Sequence, residues 1–234
     1  MKAIVTVVVA LMLLASCVVV NPPTRVARGA GWYTVKQSDT LYSIAWRYGL
    51  DYHQLAQWNQ IDISTPIHPG QRLRLVRPAN QAVVVAPEER EGGTESSSAG
   101  ASNLSSEPEV RDPNRWIWPT AGKPINTFLA SRLDRRGIDI AGKLGQPVRA
   151  VADGKVVYSG NGLAGYGNLI IIKHSEKYLS AYAYCRKRLV QEGAAVKAGN
   201  IVAEMGRWDN MAKLHFEIRR NGKPVDPMKY LPDQ

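Results

Sequence analysis

The sequence predicts a mainly β C-terminal domain of sandwich or barrel type, joined by a flexible linker to a small βααβ domain. Three observations carry this. Residues 32–76 read as strand, helix, helix, strand. Residues 77–113 are rich in Ser, Gly, Glu, Ala and Pro and hold no aromatic residue. From Trp116 onward, short apolar alternations separated by tight turns replace any long amphipathic helix.

In the first block, Tyr33-Thr34-Val35 alternates like a strand, and Ser38-Asp39-Thr40 offers N-cap chemistry for a helix starting near Leu41. Leu41, Ile44, Ala45 and Tyr48 then recur at helical spacing, and Gly49 is a natural stop. A second helix fits Tyr52 to Trp58 with Leu55 and Trp58 facing inward. Pro69-Gly70 turns the chain into the strand Gln71–Leu75. The 77–113 segment cannot bury enough apolar surface to fold. As a flexible chain it spans roughly 35 Å, which would let the flanking blocks act independently. In the third block, Asp153-Gly154 signals a hairpin between Val148–Ala152 and Lys155–Tyr158. A second hairpin joins Leu169–Lys173 to Leu179–Tyr184. Ile201–Met205 and Leu214–Arg219 add strands.

Charge is unevenly placed. Residues 114–234 carry 20 Lys+Arg against 10 Asp+Glu, whereas residues 1–113 carry 10 of each. A basic surface implies an anionic partner: nucleic acid, membrane, acidic protein or anionic cell wall. The N-terminus narrows the choice to the cell envelope and excludes nucleic acid. Lys2 precedes an uncharged run to Ser16, and then Leu14-Ala15-Ser16-Cys17 resembles the lipobox of bacterial lipoproteins. That resemblance implies cleavage before Cys17 and its acylation, a firm membrane anchor. The alternative is an uncleaved helix, since Ala3–Val20 is about long enough to span a bilayer. With Cys17 acylated, Cys185 has no intramolecular partner; it reads as a small core residue. The expected boundaries are a signal peptide at 1–16, a lipidated tether at 17–31, the first domain at 32–76, a linker at 77–113 and the second domain at 114–234.

The first block resembles the LysM module: Tyr33-x-Val35, Asp39-Thr40-Leu41-x-x-Ile44-Ala45, Tyr48-Gly49, Leu55-x-x-x-Asn59-x-Ile61 and Gly70-Gln71-x-Leu73 fall in register. Ser38 departs from the family's usual glycine. The resemblance implies binding of N-acetylglucosamine-containing glycans such as peptidoglycan. The groove would be formed by Ser38, Asp39, Thr40, Leu41, Asn59, Ile61 and Ile67. Leu41 and Ile61 read equally well as core residues, and Asp39 as a helix cap.

The third block resembles the lysostaphin-type (LytM) metallopeptidase domain. The resemblance rests on Trp118-Pro119, Arg136-Gly137-Ile138-Asp139-Ile140-Ala141, Pro147-Val148-x-Ala150, Asp153-Gly154-x-Val156, Tyr166-Gly167-Asn168, Tyr182-Ala183, Val196-Lys197-x-Gly199 and Leu214-His215-Phe216-Glu217-Ile218-Arg219. Active members hold zinc through the His and Asp of a His-x-Gly-x-Asp motif and the second His of a His-x-His strand. The first His of that strand and one in a Tyr-x-His motif assist. Carried over, the first ligand is Arg135, the aspartate survives as Asp139, the Tyr-x-His position is Tyr184, the strand's first His is Lys213, and its second survives as His215. Arg207–Met211, before that strand, looks one residue short. His53, His68 and His174 lie outside the ligand set.

Catalytic zinc needs three protein ligands and an open position, and only Asp139 and His215 remain, crowded by cations that disfavour a divalent ion. No catalytic residues, metal or cofactor are therefore expected. The altered groove (Arg135, Asp139, Tyr166, Tyr184, Trp208, Lys213 and His215) reads as a partner-binding surface, or for Arg135, Tyr184 and Lys213 as simple decay. Asp139 and His215 read as a residual structural pair. The whole arrangement resembles the NlpD-type murein amidase activators. This implies an outer-membrane lipoprotein on the periplasmic face that binds peptidoglycan and activates a periplasmic N-acetylmuramoyl-L-alanine amidase in cell separation. The alternatives are a passive wall tether and a zinc endopeptidase with rearranged ligands.

Overall fold

The structure is a computed structural model and describes residues 31–78, 113 and 115–234. The expected signal peptide, Cys17 and nearly all of the expected linker fall outside those residues.

The small block begins with β1 (Trp32–Thr34), α1 (Leu41–Tyr48), α2 (Tyr52–Asn59) and β2 (Arg72–Arg74). The two strands pair antiparallel, with Trp32 opposite Arg74 and Thr34 opposite Arg72. Thr40 caps α1 with a full capping box, its hydroxyl accepting from the Ser43 amide while Ser43 answers the Thr40 amide. Asp51 caps α2 through the His53 and Gln54 amides. Gly49 closes α1 in the left-handed region, as expected. Ser38 also lies there, at φ 66°, which explains why glycine suits that position. Leu55 is buried, but Trp58 is only half-buried, and Tyr52 and Ala56 take the inward positions of α2.

The large block is a ten-stranded antiparallel assembly. Its strands are β3 (Ile138–Ala141), β4 (Pro147–Arg149), β5 (Gly154–Gly160), β6 (Asn168–Lys173), β7 (Tyr178–Arg188), β8 (Ala195–Val196), β9 (Ile201–Met205), β10 (Arg207–Trp208), β11 (Met211–Arg220) and β12 (Lys223–Val225). The central order is β10-β11-β7-β6-β5-β8, with β3 and β12 on β11, and β4 joined through β9 to β7. The β6–β7 hairpin forms as expected. Asp153-Gly154 does not make a hairpin. β4 pairs with β9, whereas β5 pairs with β6 and β8, so the strands flanking the turn part company. Glycine is needed there for space: a Cβ on Gly154 would stand 2.4 Å from the Lys173 carbonyl oxygen. The loop expected at 207–211 is a two-residue hairpin. Asp209 and Asn210 both have positive φ, the geometry that matches strand twist.

β11 divides the molecule. Leu214, Phe216 and Ile218 enter a core with Ile138, Ile140 and Tyr182. Lys213, His215, Glu217 and Arg219 alternate onto the other face. The apolar part of that second face, including Leu169, Ile171, Leu179, Ala181 and Ala183, packs in one cluster with Leu41, Ile44, Trp46, Leu55 and Leu73 of the small block. The two blocks therefore share a packed interface, contrary to the independence expected from the linker's composition. Trp46 explains the difference. It lies outside the periodic apolar face of α1, yet it is only 2% exposed because the Arg219 guanidinium stacks on its ring at 3.5 Å. Thr40 Oγ1 donates to the Val157 carbonyl, and Arg219 Nη1 to the Trp46 carbonyl.

Ionisable groups also cross this interface. His53 Nε2 lies 2.7 Å from Glu176 Oε2, which also accepts from the Tyr52 hydroxyl at 2.9 Å. Burial works against the Glu176 carboxylate, but Lys173, His53 and Tyr52 hold it down at about 2. The hydrogen bond to Asp51, opposed by burial and reinforced by Glu176, raises His53 above its usual 6.5. The Glu176 contribution is thus present above its ordinary value of 4.5 and lost as pH falls toward 2. The His53 contribution is complete below 6.5 and lost as pH rises through its raised value. His53→Gln should therefore cost modest stability at pH 6, and the gap from the parent should narrow by pH 8.5 in urea melts. A constant gap would show that the imidazolium charge does not hold the interface.

Candidate functional site

The site lies where β3, β7 and β11 run side by side. His215 stands directly opposite Asp139 on β3 and Ala183 on β7, and Lys213 is one alternation along the same face. The close approach is possible because Gly137 lacks a Cβ, which would fall 2.1 Å from the Phe216 carbonyl oxygen. The Asp139 amide is fixed by Asn126 Oδ1 at 2.7 Å.

A line of alternating charge runs through the face. Lys213 Nζ is 3.0 Å from Asp139 Oδ2. Asp139 Oδ1 is 2.7 Å from His215 Nδ1. His215 Nε2 is 3.3 Å from Glu217 Oε1, and Arg219 donates through Nε and Nη2 to Glu217 Oε2 at 3.1 and 3.0 Å. The Tyr166 hydroxyl donates to Glu217 Oε1 at 2.7 Å. Buried charges persist only when paired, and here each carboxylate lies between two cations.

The protonation states follow from this geometry. Burial alone would lower His215, but hydrogen bonds to Asp139 and Glu217 outweigh it and raise the imidazole to about 9. With a carboxylate at each ring nitrogen the doubly protonated imidazolium is favoured, and a metal would have to displace a proton to reach a lone pair. Glu217 is disfavoured as an anion by burial, yet Arg219 and His215 hold it at about 2. Asp139 is lowered in the same way, burial being overcome by His215 and Lys213.

Tyr184 and Trp208 form the aromatic wall, their rings stacked at 4.5 Å and 12°. Lys213 Nζ lies 5.5 Å from the Tyr184 ring centroid, and Tyr184 and Tyr166 lie 5.5 and 6.1 Å from the His215 ring. Tyr184 adopts φ 62°, a costly conformation for a bulky residue. Burial pushes its hydroxyl, and that of Tyr166, above the usual tyrosine value.

The structure thus brings Asp139, Tyr166, Tyr184, Trp208, Lys213 and His215 together. It does not bring Arg135 to them. The Arg135 guanidinium turns to Thr127, with Nε donating to its carbonyl at 2.9 Å and Nη2 bonded to its hydroxyl. Glu217, Arg219 and Trp46 belong to the same network but received no role from the sequence. The signal was present: polar residues at 213, 215, 217 and 219 alternate with Leu214, Phe216 and Ile218, and such an alternation marks a face with its own partners.

In the small block, Asp39 accepts from the Tyr33 hydroxyl and the Lys36 amide and pairs with Arg47. Thr40 caps α1 and faces the large block, and Leu41 is core. The Asn59 side chain bridges the Leu55 carbonyl to the Arg74 backbone. Ser38 is exposed, and Ile61 and Ile67 are half-buried. Beside them lies a cleft of about 620 Å³ lined by Ile61, Asp62, Pro66, His68 and Gln71, among others. Cys185 is a buried free thiol, and burial pushes its pKa up to about 12.

Comparison with known proteins agrees with this architecture. Residues 33–76 match the LysM domain and residues 134–227 match Peptidase family M23. The chain is 42% identical over 233 residues to "Lipoprotein NlpD/LppB homolog" of Pseudomonas aeruginosa, covering 87% of this chain and 77% of that protein. It is 39% identical over 257 residues to "Murein hydrolase activator NlpD" of Escherichia coli (strain K12), covering 86% of this chain and 68% of that protein. Among solved structures, a zinc containing peptidase from Vibrio cholerae aligns at 30% identity and TM-score 0.46, over 51% of this chain and 41% of the other. The chain belongs to the NlpD/LppB family of lipoproteins, built from a LysM domain and a Peptidase family M23 domain.

Proposed function

We propose that this protein binds peptidoglycan and activates a periplasmic N-acetylmuramoyl-L-alanine amidase, using the M23-type groove to bind its partner and not to cut wall peptides. The observation that carries this reading is the Lys213 ammonium, 3.0 Å from Asp139. It bonds a carboxylate that would have to serve as a metal ligand in an active M23 site. The donor set does not fit that ion: Arg135 replaces one ligand and is bound to Thr127, and His215 is capped by carboxylates on both sides. What remains is a face with one cation and a stacked aromatic pair, chemistry suited to an acidic and apolar peptide segment. Activation then needs only a higher affinity for the open amidase than for the closed one.

Peptidoglycan binding is assigned to the LysM block, at the cleft beside Ile61. The anchor is assigned to an acylated Cys17 in the outer membrane, facing the periplasm.

The test mixes soluble protein, amidase and purified peptidoglycan. Release of wall fragments is expected only when protein and amidase are both present. Lys213→Glu and Trp208→Ala should each cut stimulation by at least about tenfold, the loss of a partner-binding residue worth over 1.4 kcal/mol, with wall co-sedimentation unchanged. Release without amidase would make the protein a hydrolase. Wall binding with no stimulation would make it a passive tether.

A further inference from the structure

Among the described residues, nothing covers the outer face of the β1–β2 pair. Tyr33 and Leu73 point inward to the core, so Trp32, Thr34, Arg72 and Arg74 share the outer face by register. Trp32 is 46% exposed and neighbouring Val76 is 50% exposed. The Arg72 and Arg74 guanidinium groups stand over the Trp32 ring, 5.1 and 4.8 Å from its centroid. Among the described residues, neither guanidinium pairs with a carboxylate.

From this geometry we infer a membrane-docking surface: the Trp32–Arg72–Arg74 face seats against anionic phospholipid headgroups. Charge complementarity supplies the first argument. An unpaired guanidinium fork matches a phosphate with two parallel hydrogen bonds, and two forks flank one apolar ring. Tryptophan beside basic residues is the composition of the membrane–water boundary, where an amphipathic ring sits at headgroup depth. The guanidinium groups over the ring compete with a sugar for its faces, and this surface shares no residue with the lining of the cleft beside Ile61.

Chain path supplies a second argument. Fourteen residues separate Cys17 from the start of β1 at Trp32. A chain of that length spans at most about 50 Å when fully extended, so a bilayer holding Cys17 lies within reach of this face. Two arginines and one indole bind a free vesicle weakly. Tethering turns that contact into an intramolecular one, which orients the LysM cleft and the M23-type groove relative to the bilayer.

The test uses the full soluble chain with Cys17→Ser, so that no acyl chain contributes and failure here leaves the amidase proposal untouched. Co-sedimentation at low salt is measured with vesicles of phosphatidylethanolamine and phosphatidylglycerol, with phosphatidylcholine vesicles, and with purified peptidoglycan. Binding is expected to the phosphatidylglycerol vesicles alone among the lipids. Arg72→Gln/Arg74→Gln should reduce it about 25-fold, roughly fivefold per arginine, and Trp32→Ala should reduce it further, with the melting temperature and peptidoglycan binding held. Equal vesicle binding by variant and parent, absence of parent binding at low salt, or loss of peptidoglycan binding instead would each overturn the assignment. The last outcome would identify the face as a glycan site.

Discussion

Replacing Arg219 by alanine is expected to lower the melting temperature by about 10 °C and to split one unfolding transition into two. Arg219 is 1% exposed and donates twice to Glu217, which is fully buried. Removing one partner of a buried pair costs about 3–5 kcal/mol, and because His215 and Tyr166 still hold Glu217 the loss falls at the lower end of that range. For a chain of this size each kcal/mol moves the midpoint by roughly 2–4 °C. The same change removes the guanidinium stacked on Trp46 and its hydrogen bond to the Trp46 carbonyl. The contact that couples α1 to β11 goes with it, so the small block should melt separately. Glu217→Leu/Arg219→Met should recover at least half of the loss, because replacing a buried pair by apolar groups is often neutral. Calorimetry on the parent and both variants decides this. An Arg219→Ala protein that melts in one transition within about 2 °C of the parent would mean that the interface draws nothing from this pair.

The second large effect is a gain. Arg135→His/Lys213→His should bind zinc tightly, whereas Arg135→His alone should not. The single substitution releases position 135 from Thr127 and offers an imidazole as a third ligand beside Asp139 and His215, but leaves the Lys213 ammonium 3.0 Å from Asp139. At an effective dielectric near 20, a unit charge about 4 Å from a divalent ion costs about 8 kcal/mol, more than five orders of magnitude in affinity at about 1.4 kcal/mol per tenfold. Removing it also frees Asp139 Oδ2 for coordination. Calorimetric titration with zinc reads both variants, and equal affinity in the two would remove Lys213 from the argument.

Much of this molecule was legible in its residues, and the failures share a cause. The helices of the small block were read from local periodicity and caps: Leu41, Ile44 and Ala45 fall on the buried face, and Thr40 and Gly49 bound α1. Asp139 and His215 follow from the match to the family's motifs, and Lys213 beside His215 from the two-residue period of a strand. What could not be read was decided by contacts between distant segments. Trp46 looks exposed within its own helix and is buried by Arg219, 173 residues away. Gly154 looks like a hairpin residue and is required by the backbone of Lys173. Arg135 was placed in the groove by its position in a motif, but Thr127 offers it a carbonyl and a hydroxyl elsewhere. Asp209-Asn210 is the exception, since two residues tolerant of positive φ between strands are a local signal for a tight hairpin.

The most direct measurement is the metal content of the unaltered protein, taken by elemental analysis after equilibration with zinc and removal of the unbound ion. A lysine bonded to Asp139 and an imidazolium at His215 predict far less than one zinc per chain, with no cleavage of wall peptides. One zinc per chain, with peptide cleavage that a chelator abolishes, would contradict it.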